Sequence, residues 1–181
     1  MLNINNIDIS RITVSKAKDV SKDGMTYGKR VYLNYNDPKH GTIPLTLSLP
    51  KLKNRFGLSR WDSENGQAKY MLNAHFEDFQ SEVSTDGKKC YEQFCKMEEH
   101  IKKLMAEHSL DFFNVKKPYT LDLIDQMELL YPVVKRSANK ETGQEYPPSI
   151  KMNFPRYPNK QGVPEFTTKL FLKKGQPVAI D

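Results

Sequence analysis

Catalysis or metal binding would most readily be built from the four histidines and two cysteines of this chain. His40, His75, His100 and His108 form no metal-ligand spacing with Cys90 or Cys95. His100 and His108 fall on one predicted helix, too far apart to share an ion. No glycine loop of the phosphate-cradling kind and no nucleophile elbow occurs. Glu98 and Glu99 read as a solvated helix face. Only Asp62, Glu64, Glu77 and Asp78 cluster closely enough to suggest divalent-metal phosphodiester cleavage. The sequence thus predicts a chain that is not an enzyme, with no cofactor and no metal.

A second chemistry lies in cations that fall beside aromatic rings. Lysine and arginine neutralise phosphates, and an exposed ring stacks on a base for about 1–3 kcal/mol, whatever the base. Where a strand alternates, its polar parity shows which of these residues face outward. That parity gives Tyr32 beside Arg30, Arg55 and Trp61, then Lys151, then Lys169, Phe171 and Lys173. Lys51, Lys53 and Arg55 form a basic connecting segment suited to tracking phosphates, and Arg60 adjoins Trp61. Each residue also has a structural reading. Strand Tyr and Phe commonly pack in cores or across strands, and single lysines commonly serve solubility. For Trp61, at a strand end, core and exposed placements both stand.

Charge is distributed unevenly over the 181 residues. The net charge is +6 and the pI about 9.1, which suits an acidic partner. From Gly28 to Trp61 there are seven basic residues and one acid; from Asp62 to Asn114, six basic and eleven acidic; from Val115 on, eleven basic and seven acidic. Two basic blocks flank an acidic one, the pattern of a polarised molecule. Cys90 and Cys95 are five residues apart on a predicted helix, hence on different faces, and read as reduced thiols. No apolar run is long enough to span a membrane, and Met1 to Ser10 is no secretory signal, so the chain is expected not to be secreted.

The elements that must position these residues are mostly strands. Thr42 to Leu49 alternates, with Ile43, Leu45, Leu47 and Leu49 on one face; Pro44 marks an edge or bulge. Val31 to Tyr35 alternates too, and Asn36-Asp37-Pro38 with Gly41 makes a turn between them. Phe56 to Trp61 is a short strand with Phe56 and Leu58 inward. Lys69 to Phe76 buries Tyr70, Leu72, Ala74 and Phe76. Leu2 to Val14 is a weaker strand candidate. After Thr85-Asp86-Gly87 the period becomes helical to about His108, and a second helix runs from Thr120 to near Tyr131. Ser149 to Phe154 and Phe166 to Lys173 return to strands. The prediction is one α+β, mainly β domain over 1–181, with a helical insertion at about 86–131. A Greek-key barrel of the oligonucleotide-binding type, with an inserted long helix and a second short one, fits this order. Other α+β folds fit it nearly as well.

The run Gly41-Thr42-Ile43-Pro44-Leu45 to Pro50, then Arg55-Phe56-Gly57-Leu58-Ser59-Arg60-Trp61, resembles a segment of the single-stranded DNA-binding proteins of nucleocytoplasmic large DNA viruses. Glu107-His108-Ser109, Phe112 to Lys117, Leu130-Tyr131-Pro132-Val133-Val134-Lys135, Lys140-Glu141-Thr142-Gly143 and Tyr146 to Lys151 continue the order. That family is similar to phage replicative single-stranded DNA-binding proteins. The resemblance covers roughly Gly28 to Phe154. It implies an oligonucleotide-binding fold and sequence-independent binding of single-stranded DNA, or RNA, in viral DNA replication, recombination or repair. It further implies viral replication proteins as partners, and a site in host cytoplasmic factories or the host nucleus. The family has further strands after the stretch matching Phe166 to Ile180, so a C-terminally shortened or divergent member is expected. The alternative is a protein-interaction or structural subunit with a basic face and no nucleic-acid role.

Overall fold

A computed structural model describes residues 1–62, 68–154, 156–158 and 164–166. It is a mixed α+β structure, mainly strands, and none of its sheets closes into a barrel among the described residues. The chain divides into two compact units, each made of two separate stretches.

The first unit combines Met1–Pro50 with Val83–Val133. Its strands are β1 (Leu2–Asn3), β2 (Ile12–Val14), β3 (Lys18–Lys22), β4 (Met25–Arg30), β5 (Leu33–Asp37), β6 (Gly41–Pro44) and β7 (Leu47–Ser48). The weak strand expected over Leu2 to Val14 is broken by two short 3-10 turns, Ile4–Asn6 and Ile9–Arg11. The side chains of Asn3 and Asp8 cap these turns by accepting from Asn5 and Ser10 N–H. β2, β5 and β6 form an antiparallel sheet in that order, with Ile12, Tyr35 and Ile43 in register across it. Pro44 lies on the edge strand, where its missing N–H costs no ladder bond. The expected strand Thr42 to Leu49 divides after Pro44, and β7 pairs in parallel with β1.

The helices of this unit are α1 (Asp86–Glu107), α2 (Ser109–Phe113) and α3 (Leu121–Gln126). Thr85 caps α1 by accepting from Lys88 N–H. Cys90, Phe94, Met97, Ile101 and Leu104 recur at helical spacing and form the buried stripe. Glu98 follows Phe94 by four residues, lies on that stripe and is buried, so only Glu99 of the pair is on a solvated face. His100 Nε2 lies 2.8 Å from the Ile12 carbonyl oxygen. Lys102 pairs with Glu99 and with Asp125, tying α1 to α3. α3 ends before the expected Tyr131. Glu128 takes a left-handed φ of 49°, and Leu129 N–H closes back on the Ile124 carbonyl. A left-handed residue that is not glycine leaves no stop signal in the sequence.

The second unit holds Lys51–Glu82 and the described residues from Val134 on. Its strands are β8 (Leu58–Asp62), β9 (Ala68–His75), β10 (Val134–Lys135), β11 (Ser149–Phe154), β12 (Arg156–Pro158) and β13 (Pro164–Phe166). Four of them form an antiparallel sheet in the order β10-β11-β9-β8. Leu58, Leu72, Ala74, Val134, Ile150 and Met152 share one face by register. Leu72, Ala74, Val134 and Ile150 are buried there, and Phe76, just past β9, is fully enclosed.

Candidate nucleic-acid interface

The other face of the four-stranded sheet follows from the same register, because successive side chains alternate. It carries Ser59 and Trp61 from β8, Met71, Asn73 and His75 from β9, Lys135 from β10, and Ser149, Lys151 and Asn153 from β11. Lys53 bridges to His75 from the β8 side and adds to the same face. Lys53, Lys135 and Lys151 are exposed, and Trp61 is 56% exposed. None of these ten residues is a carboxylate. One row runs Lys53, His75, Ser149, Lys135, so two ammonium groups flank the sheet across three strand spacings, about 14 Å. Trp61 lies opposite Lys69, six residues from His75 along β9, or about 20 Å.

Between Lys53 and Leu58 the chain leaves the ladder. Asn54 Oδ1 accepts from the N–H groups of Phe56 (3.3 Å) and Gly57 (3.1 Å), and Gly57 has a φ of +70°. Asparagine forms such a turn readily, and glycine takes that φ without strain. Lys53 and Leu58 face β9 residues only three apart, so two extra residues are accommodated here. Alternation is interrupted inside this turn, although Lys53 and Leu58 keep opposite faces, and this corrects the inward placement of Phe56. Phe56 is 75% exposed, and its ring meets that of His75 edge-on at 5.6 Å. It is an exposed aromatic at the lysine end of the face, as Trp61 is at the other.

Arg55 is also displaced from its simple role. Its Nε and Nη2 both donate to the Glu77 carboxylate. The hydrogen bond from Arg55 is the main reason that the Glu77 carboxyl is held below its ordinary range, and the same bond raises the Arg55 pKa. Arg55 thus stands exposed but already charge-paired.

The remaining expected residues are dispersed. Lys51 is exposed at the start of the second unit. Arg60 is exposed but shares the parity of Leu58, Tyr70 and Phe154 rather than that of Trp61. Arg30 and Tyr32 belong to the first unit. Arg30 ends β4 opposite Lys18, and Tyr32 is 52% exposed, its N–H bonded to Ser15 Oγ at 3.0 Å. Lys169, Phe171 and Lys173 lie outside the described residues.

Two residues of the face escaped sequence reasoning. The Asn54-to-Gly57 turn was the available signal for Phe56. Lys135 sits on a two-residue strand that only its pairing with β11 reveals. Among the described residues no group of three or more His, Cys, Asp or Glu could hold a metal ion. Glu77 of the carboxylate cluster is committed to Arg55, and Glu64 lies outside the described residues. No helix among the described residues is long and apolar enough to cross a membrane. No protein-family model, curated protein or solved structure matches the chain.

Proposed function

We propose that the chain binds single-stranded nucleic acid, DNA foremost, on the Trp61–Lys151 face of the second unit and without sequence preference. One observation carries the reading: a sheet face with no carboxylate among its described residues bears three exposed lysines around buried His75 and Ser149, with an exposed aromatic ring toward each end. Phosphates need the cations, and stacked bases need the rings. The resemblance to the viral single-stranded DNA-binding family supports the same reading. An oligonucleotide-binding Greek-key architecture, a non-enzymatic role in viral replication, recombination or repair, and a location in viral factories or the host nucleus belong to the proposal.

Trp61 is the only tryptophan and reports directly on the face. Titration with poly-dT should quench its fluorescence. Three neutralised phosphates give a slope of log K against log salt of about −2 for single strands. Affinity should then fall roughly 20-fold between 50 and 200 mM salt. Replacing Lys53, Lys135 and Lys151 together by alanine should flatten that slope. Absence of quenching at low salt, or an affinity independent of salt, overturns the proposal.

A further inference from the structure

β3 and β4 form a two-stranded ribbon that pairs with no other strand among the described residues. Asp23 and Gly24, with φ of 53° and 79°, make its two-residue turn. The base of the ribbon is pinned to α2 through Asp111. Asp111 Oδ2 accepts from Ala17 N–H at 3.2 Å, and the Lys29 ammonium donates to the Asp111 carbonyl and lies 3.6 Å from Oδ1. A cleft of about 470 Å³ opens there, lined by Asp19, Thr26, Gly28, Lys29, Phe112, Phe113 and Asn114.

Its construction suits a flat ring. Phe112 and Phe113 meet edge-to-face, with centroids 6.5 Å apart. Phe112 stacks on His108 at 5.5 Å and Phe113 on Tyr119 at 5.4 Å, so each ring is held by another. Gly28 leaves the ribbon side open: a Cβ there would meet nothing within 4 Å. The polar lining offers a carboxylate, a hydroxyl, a side-chain amide and an ammonium. Aromatic walls with both acceptors and donors match a planar heterocycle with polar edges, while the ammonium is already paired with Asp111. The volume lies within the usual range for small-ligand pockets, roughly 300–1,000 Å³.

We propose that this cleft takes one unstacked nucleobase, stacked on Phe112 or Phe113. The site belongs wholly to the first unit and does not depend on the sheet face of the second.

Amide NMR of the full chain tests it, with dTMP, a short oligo-dT and deoxyribose 5-phosphate as probes. The Gly28 and Asn114 amides should shift with oligo-dT, and deoxyribose 5-phosphate should leave them unmoved. A response to dTMP as well marks a site that accepts free nucleotides. A response to oligo-dT alone marks one filled from a strand, and either upholds the base site. Gly28→Leu fills the cleft at a strand position with open space and no left-handed φ, so the rest of the spectrum should persist while the cleft shifts vanish. Three results overturn the proposal: equal shifts with the base-free sugar phosphate, cleft shifts undiminished in Gly28→Leu, or no cleft shifts with either nucleotide probe. The Lys53 and Lys151 amides report separately on the sheet face, so failure of one site is distinguishable from failure of the other.

Discussion

Replacing Glu77 by glutamine should strengthen the binding of single strands. In the native chain both donors that Arg55 aims at Glu77 are consumed, and the guanidinium charge is cancelled beside Phe56. Glutamine keeps the size and one acceptor but removes the charge, leaving Arg55 with donors to spare and a full positive charge. Each further phosphate neutralised steepens the salt slope by about 0.7. With three lysines the native chain should lose roughly 20-fold in affinity between 50 and 200 mM salt, and the variant roughly 50-fold. The gain should therefore be largest at low salt. Trp61 fluorescence with poly-dT reads both slopes. Both partners are part-exposed, with side chains 39% and 31% accessible, so melting should change little at neutral pH.

The pH dependence has a definite sign. The folded-state carboxyl of Glu77 lies below its ordinary 4.5, chiefly through the Arg55 hydrogen bond. Its stabilising contribution is complete above the unfolded pKa and fades as pH falls through the folded one, hence below about 4.5. The glutamine variant should lose only the small Glu77 share of the acid limb in a melting series, because Asp8 and Asp37 are also held low, chiefly by their hydrogen bonds. Native binding should approach that of the variant over the same acid range, as protonation releases Arg55. A variant whose slope is equal or shallower, or whose affinity falls, would refute the placement of a phosphate path beside Arg55.

Phe56→Ala should weaken oligo-dT binding by about 5–150-fold, the loss of one base stack, while leaving the salt slope unaltered. Its ring is largely exposed, so circular dichroism should show an intact fold; unchanged affinity would remove Phe56 from the interface. Cys90 is buried, and its thiol pKa is pushed up to about 12 by burial, so it should resist a thiol reagent at pH 8 until the chain unfolds. Half-buried Cys95 should react first; equal rates for the two would contradict the packing of α1.

The elements legible in the sequence are those whose burial is one-sided. β9 and β11 follow their alternation because Leu72, Ala74 and Ile150 must leave water together. α1 follows its apolar stripe and its Thr85 cap. The ribbon was illegible for the opposite reason. Every residue of β4 is exposed, so no apolar face exists to generate a period, and only Asp23-Gly24 marked it. Phe56 misled because parity assumes an unbroken strand, and the Asn54 turn breaks it two residues before Leu58. The commitment of Arg55 to Glu77 spans 22 positions, and no local pattern contains it.

The charge blocks show how far a linear count carries. The basic stretch Gly28 to Trp61 reads as one patch, yet the boundary between the two compact units falls at Pro50 and Lys51. Arg30 and Lys39 go to one unit, and Lys53 to the other. The lysines that do share a face, 53, 135 and 151, come from both basic blocks. They meet because β11 pairs antiparallel with β9 and sets Ser149 against His75, placing Lys135 and Lys53 at the two ends of one row. A one-residue slip of β11 would turn Lys151 to the apolar side and Ile150 to solvent. Burial of Ile150 against Leu72 and Ala74 opposes that slip, so the same apolar contacts that hold the sheet together also fix where its positive charge is displayed.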